Sequence, residues 1–144
     1  IIINEDEDDF NILAYFTLAM QVLKIPEDLL SGRKTKALDG FSGKMRGNKI
    51  TEFPTILIGQ VGKNDLYREL ISGLEIMEYC LLTLLKGQSI LGGRIIMLEC
   101  KDIPYIIELY ENFGFQKLEK DYNKSELLQM IKILEEGEII ESKE

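Results

Sequence analysis

The chain has 144 residues, 45% of them hydrophobic and 29% charged, the balance of one folded globular domain over 1–144 and not of a disordered chain. With 17 Lys and Arg against 25 Asp and Glu the net charge is −8, so the average surface repels phosphate backbones and generic nucleic-acid binding is not expected. There is no histidine, which removes Ser-His-Asp and Cys-His catalysis and the common zinc sites, and no metal is expected.

The chain opens at Ile1 without Met inside an apolar run, so residues 1–3 read as the end of a strand and further N-terminal elements are expected before it. Residues 4–9 are too acidic for a core and read as a solvated hairpin tip. Residues 10–23 mix aromatic and β-branched side chains, which favours a long strand, although Leu13, Ala14, Leu18, Ala19 and Met20 also suit a helix. Residues 24–48 differ in kind: Pro26, Gly32, Gly40, Gly43 and Gly47 alternate with Arg33, Lys34, Lys36, Lys44 and Arg46. They read as a surface excursion with a short helix near 27–30, long enough to be functional or mobile.

Residues 52–61 read as a buried strand led in by Pro54. A polar turn follows, then a helix over about 72–85 with Leu74, Met77, Leu81, Leu84 and Leu85 at helical spacing. Met77, Tyr79 and Met97 read as core. Gly92-Gly93 stops the helix, and 94–100 form a second buried strand. Pro104 suits the first turn of a helix over 103–112. Residues 115–118 and 127–134 read as closing strands, and the acidic tail from Glu135 frays. The order predicts an α+β fold around a mixed, twisted sheet with flanking helices. Its centre is a parallel β-α-β unit with a right-handed crossover.

No apolar run is long enough to span a bilayer, and no signal peptide is expected. Cys80 and Cys100 lie in apolar stretches without a basic neighbour, so both read as buried thiols of a reducing, cytoplasmic protein.

The segment 58–77, IGQVGKNDLYRELISGLEIM, carries the most information. A strand ends, a polar turn follows and a helix starts at Ser72-Gly73. Unpaired amides and the helix dipole favour an anion there, Gly73 permits close approach and Arg68 adds a full charge. An ordinary turn capped by Ser72 has the same spacing.

Four segments in order over 57–115 resemble the GNAT N-acetyltransferase superfamily. Arg68-Glu69-Leu70-Ile71-Ser72-Gly73 matches its Arg/Gln-x-x-Gly-x-Gly/Ala turn, with Ile71 standing where the family has glycine. LIGQVGKN resembles the strand that precedes that turn, and GGRIIMLEC the strand that follows the helix. ELYENFGF is similar to the late Leu-Tyr-Glu-x-x-Gly-Phe motif and is the most specific match. Ile103 stands where many members carry an asparagine that contacts the cofactor.

The resemblance implies an acetyl-CoA-dependent N-acetyltransferase working in a direct ternary complex. Val61, Gly62 and Lys63 would line the pantetheine arm, pairing as a peptide adds to a sheet edge, and 68–73 would hold the pyrophosphate. The Val61 N–H would polarise the acetyl carbonyl, and Tyr110 would donate the proton taken up by the departing thiolate. Glu99 and Glu52 are candidate bases, each also readable as an ordinary strand carboxylate. Tyr67 reads equally as a cofactor contact or a turn aromatic. The amine acceptor is a small molecule or a protein, and a homodimer is compatible. Two other readings stand beside this one: a GNAT toxin acetylating aminoacyl-tRNA, and a non-catalytic acyl-CoA-binding module.

Overall fold

In the computed structural model, which describes residues 1–4, 10–118 and 126–134, the main sheet has six strands. Strand β1 (Ile2–Asn4) pairs antiparallel with the 14-residue β2 (Asn11–Lys24). The chain then forms a 3-10 turn (Glu27–Leu29), helix α1 (Gly32–Asp39) and a small hairpin of β3 (Lys44–Met45) and β4 (Asn48–Lys49) outside the main sheet. Strand β5 (Glu52–Lys63) returns antiparallel to β2. Helix α2 (Gly73–Leu91) crosses to β6 (Ile95–Cys100), which lies parallel to β5. Helix α3 (Pro104–Asn112) leads to β7 (Gln116–Lys117), and β8 (Leu128–Ile133) lies antiparallel between β6 and β7. The spatial order is β1-β2-β5-β6-β8-β7.

This is the expected mixed sheet with its central parallel unit. Alternating side chains of β5, β6 and β8 bury on opposite faces, which is why both central strands read as near-continuous apolar runs. On one face Ile56, Ile58, Ile96, Leu98 and Met130 pack with Met77, Cys80 and Leu84 of α2 and Ile107 of α3. On the other, Phe53, Ile95, Met97 and Ile131 pack with Leu23, Ile25, Leu30 and Leu38. Each such side chain contributes about 1.5–3 kcal/mol on burial.

The excursion holds more structure than its composition predicts. Ser31 caps α1 by accepting from the Lys34 amide at 3.1 Å, and Gly40 (φ 78°) ends it in the left-handed region. Only Leu38 and Thr35 of α1 are buried, too few to mark a helical stripe in the sequence. Helix α2 runs six residues past the expected Leu85, and Gln88 closes it by donating to the Gly93 carbonyl at 2.9 Å. Its buried face is Ile76, Met77, Cys80, Leu84 and Gln88, while Leu74 and Tyr79 are exposed. The strand expected over 115–118 narrows to β7 and that over 127–134 to β8. The acidic tip residues 5–9 and the tail from Glu135 lie outside the described residues. Among the described residues no helix is long and apolar enough to cross a membrane.

Candidate active site

Strands β5 and β6 pair only through residues 55–58 and 95–98. Beyond Ile58, β5 continues to Lys63 held by β2 alone, while β6 continues through Glu99 and Cys100 held by β8. The two strands therefore part, and residues 59–63 present an unpartnered edge toward the gap. A bulge starts the divergence: Leu18 faces Ile58 and Phe16 faces Val61, so three steps of β5 match two of β2. Thr17 sits in the bulge, its Oγ1 accepting from the Gln60 amide at 2.8 Å. A Cβ on Gly59 would come within 2.8 Å of that oxygen, and one on Gly62 would overlap the Tyr15 ring. Glycine at both places lets β5 bend and carry the aromatic ring against it. A bare strand edge offers alternating donors and acceptors to any extended chain of amides.

The turn after β5 is tied down at both ends. Asn64 accepts from the Leu66 amide at 3.0 Å and donates Nδ2 to the Ile12 carbonyl at 2.8 Å. The Tyr67 hydroxyl donates to Asn11 Oδ1 at 2.8 Å, and its ring packs with Leu13, Ala14, Ile71 and Ile76, the ordinary turn-aromatic reading of that residue. Ile71 is itself buried in this cluster, which explains a large apolar residue at that place: it anchors the turn to β2.

Ser72 opens α2 with a capping box. Its Oγ accepts from the Glu75 amide at 3.2 Å, and its own amide donates to Glu75 Oε2 at 2.7 Å. Hydrogen bonding from Ser72 to the carboxyl, its backbone amide first and then its side chain, holds Glu75 below the usual carboxylate range. Arg68 pairs with Asp65 at 2.7 Å on the exposed surface, and that hydrogen bond, with the Asp65 charge, raises the guanidinium further. An anion arriving at 68–73 thus competes with Asp65 for Arg68 and with Glu75 for the Ser72 amide. Gly73 is uncrowded; a Cβ there would touch only Leu109 at 3.8 Å, so its Cα is open to close approach.

Tyr110 projects from α3 beside the end of β6. It is half-buried against the α2/α3 core and meets Phe115 edge-on, with ring centroids 6.0 Å apart. Burial raises its phenol above the ordinary value, and the nearby thiols of Cys100 and Cys80 push the same way. Its carbonyl accepts from the amides of Phe113 and Phe115, so the turn through Gly114 (φ 85°) fixes the helix end. Cys80 is fully buried and its thiol is pushed up to about 11, so neither its access nor its acidity suits a nucleophile. Both cysteines are free and buried, as expected.

The two candidate carboxylates separate clearly. Glu99 is exposed at the open end of β6 and accepts from Gln129 Nε2 at 2.9 Å. Glu52 begins β5 at the opposite end and pairs with Lys24 at 3.0 Å, away from the gap. The fold therefore gathers Val61, Gly62, Lys63, the 68–73 turn, Tyr110 and Glu99 at one end of the sheet, and leaves Glu52 out. Asn64 and Thr17, which shape the turn and the bulge, carried no sequence signal beyond their closeness to the glycines. No group of three or more metal-ligating side chains occurs among the described residues.

The six-stranded mixed sheet with parallel and antiparallel pairs and flanking helices matches the GNAT acyltransferase-like fold. No protein-family model and no curated protein matches the chain by sequence. Solved structures match by fold. A bacterial toxin aligns with TM-score 0.56 and 16% identity over 90% of this chain. The NatC complex bound to Gag peptide and CoA gives 0.53 and 16% over 92% of this chain and 69% of its own. AtaT complexed with acetyl-methionyl-tRNAfMet gives 0.55 and 13% over 85% of this chain and 65% of its own. The chain spans only 63% of the length of the first of these toxins.

Proposed function

We propose that the protein is an N-acetyltransferase that moves the acetyl group of acetyl-CoA to a primary amine by direct attack in a ternary complex. The observation that carries this reading is the β5 edge at 59–63, left without β6 beyond Ile58, with Tyr110 packed on the same core cluster as Ile58 and Cys100. Val61 and Lys63 bind the amides of the pantetheine arm, and Gly62 keeps the edge clear. Arg68 and the backbone of Glu69, Leu70, Ile71, Ser72 and Gly73 hold the diphosphate. The thioester supplies an activated acetyl group. The Val61 N–H polarises its carbonyl while the neutral amine nitrogen bonds to the carbonyl carbon. As the C–S bond breaks, Tyr110 gives its hydroxyl proton to the departing thiolate and regains one from solvent. The proton released by the amine goes to water, with Glu99 as the carboxylate at the open end.

A thermal melt with acetyl-CoA tests binding: at 100 times its dissociation constant the ligand adds about 2.7 kcal/mol of stability. Absence of any shift overturns the proposal. Thiol release over a panel of amines then tests transfer, and a shift without release over the whole panel points to a non-catalytic acyl-CoA-binding module.

A second reading, acetylation of aminoacyl-tRNA, draws on the excursion. Residues 24–49 hold seven Lys and Arg against three Asp and Glu in a chain of net charge −8. Arg33, Lys36, Lys44 and Arg46 are all exposed there. Local positive charge of this kind suits a phosphate backbone despite the acidic average. The AtaT structure with acetyl-methionyl-tRNAfMet shows that a similar fold meets such a partner. Charged tRNA accepting acetyl groups, with binding that falls steeply with salt, separates this reading from small amines.

A further inference from the structure

The outer face of α2 has no part in the acetyl-transfer reading. We propose that it is the contact surface for a second copy of this chain, with the two α2 helices packed antiparallel about a two-fold axis at Leu82.

Helix α2 buries one face, Ile76, Met77, Cys80, Leu84 and Gln88. A surface helix ordinarily carries charged and polar side chains on the opposite face. This helix departs from that pattern. Leu82 lies opposite the buried stripe and is 55% exposed, and Leu74, Tyr79, Ile90 and Leu91 are also more than half exposed. Leu81 and Leu85 reach the core only in part. Apolar side chains therefore run along the outside of a 19-residue helix, a length of about 28 Å. A continuous exposed stripe of this kind marks an interaction surface.

The few charges on the helix select the partner. Glu75 and Glu78 lie in its first half, and Lys86, its one basic residue, lies in its second. Glu78 and Lys86 are both exposed. Glu78 stands four positions before Leu82 and Lys86 four positions after it. An antiparallel pair crossing at Leu82 therefore brings Lys86 of each copy level with Glu78 of the other and within one position of Tyr79, offering it a carboxylate and an aromatic face. Two-fold symmetry makes that arrangement twice. The same register sets Tyr79 level with Leu85, Leu74 level with Ile90, and Leu82 against itself. A parallel pair would instead set like charges level, which is repulsive. A membrane surface fits poorly, because the stripe has two carboxylates and a single cation to meet anionic headgroups. Apolar contact supplies the affinity and the charges fix the register. The inference does not depend on the acetyl-transfer reading.

Sedimentation equilibrium over a range of chain concentrations tests it. One helix pair is at the small end of specific interfaces, so a dimer with a dissociation constant of about 10–100 μM is expected. L82E sets two carboxylates together on the axis and should weaken the dimer at least about tenfold. Leu82 is exposed, so the melting temperature of L82E, read at concentrations where the chain is monomeric, should match the parent's. E78K and K86E should each weaken the dimer, and the double variant E78K/K86E, which restores opposite charges in the antiparallel register, should recover it. A chain that stays monomeric up to about ten times that dissociation constant overturns the proposal. So does a dimer that L82E leaves intact, which would put the contact on another face. Charge variants that fail to compensate one another overturn it as well, because the antiparallel register requires that they do.

Discussion

Strands β5 and β6 are two different structures along one length. Through residues 55–58 and 95–98 they pair residue for residue, and Ile56, Ile58, Ile96, Met97 and Leu98 are all 7% exposed or less. Beyond that point β5 reads GQVGK, mostly exposed, and β6 ends in Glu99 and Cys100. In the closed half, β-branched and aliphatic side chains on both faces hold the sheet together. In the open half, two glycines and a bulge part the strands and leave backbone polar groups to an incoming chain. Stability and candidate chemistry thus occupy adjacent stretches of the same strands, and changes in each should be separable.

The largest expected effect lies in the closed half. Leu98→Ala removes a buried side chain from the α2/α3 core and should cost about 2–5 kcal/mol by denaturant titration. Val61→Ala in the open half should cost under about 0.5 kcal/mol, because that side chain is already 39% exposed. Similar losses at both positions would mean the division is not energetic.

Next comes Tyr110→Phe, expected to lower kcat about 100-fold with little change in acetyl-CoA affinity. A proton donor must be protonated to act. Burial raises the Tyr110 phenol, so the rate should hold through neutral pH and fall only above the ordinary tyrosine value of about 10. The phenylalanine variant should lack that alkaline fall. Its persistence would assign the proton to another group.

The closed half was legible in the sequence and the open half only in part. Apolar runs such as RIIMLEC announce a strand buried on both faces, and Pro104 and Gly92-Gly93 mark element ends by sterics alone. The segments around 57–73 and 108–115 pointed to the fold through resemblance, since their spacing alone equally fits a plain strand-to-helix turn. Helix α1 escaped because its stability rests on the Ser31 cap and two buried side chains, which leave no periodic stripe. Tyr79 misled because it is apolar enough for a core yet falls on the outer face of α2. The bulge was illegible: it depends on Thr17, 43 residues away from Gln60 in the chain.

Within the open half, the ion pair at 2.7 Å sets a smaller contrast. Arg68→Gln should weaken acetyl-CoA binding by about tenfold, the scale of one charge-assisted contact at an exposed site. Asp65→Asn should act the other way and tighten it, because Asp65 holds the guanidinium that the diphosphate would use. Isothermal titration of both variants checks the signs, and a loss in both would mean the pair acts only as scaffold.

The smallest effect concerns Glu75, where stability and affinity should move in opposite directions. Ser72→Ala removes the side-chain half of the capping box and should cost about 1 kcal/mol. Glu75→Gln keeps the shape but loses the charge that draws on the Ser72 amide and on the positive end of α2. The folded carboxyl titrates below its unfolded value of about 4.3. Its contribution is therefore full above that pH and is lost as pH falls through the lower folded value. At neutral pH the glutamine variant should melt slightly lower than the parent, and the two melting curves should converge in acid. The same change removes a resident anion from the helix start, so acetyl-CoA should bind the variant more tightly at neutral pH, with the gain shrinking in high salt. A variant that lost both stability and affinity would make the capping box part of the binding surface, where the hydrogen-bond geometry makes it the ligand's competitor.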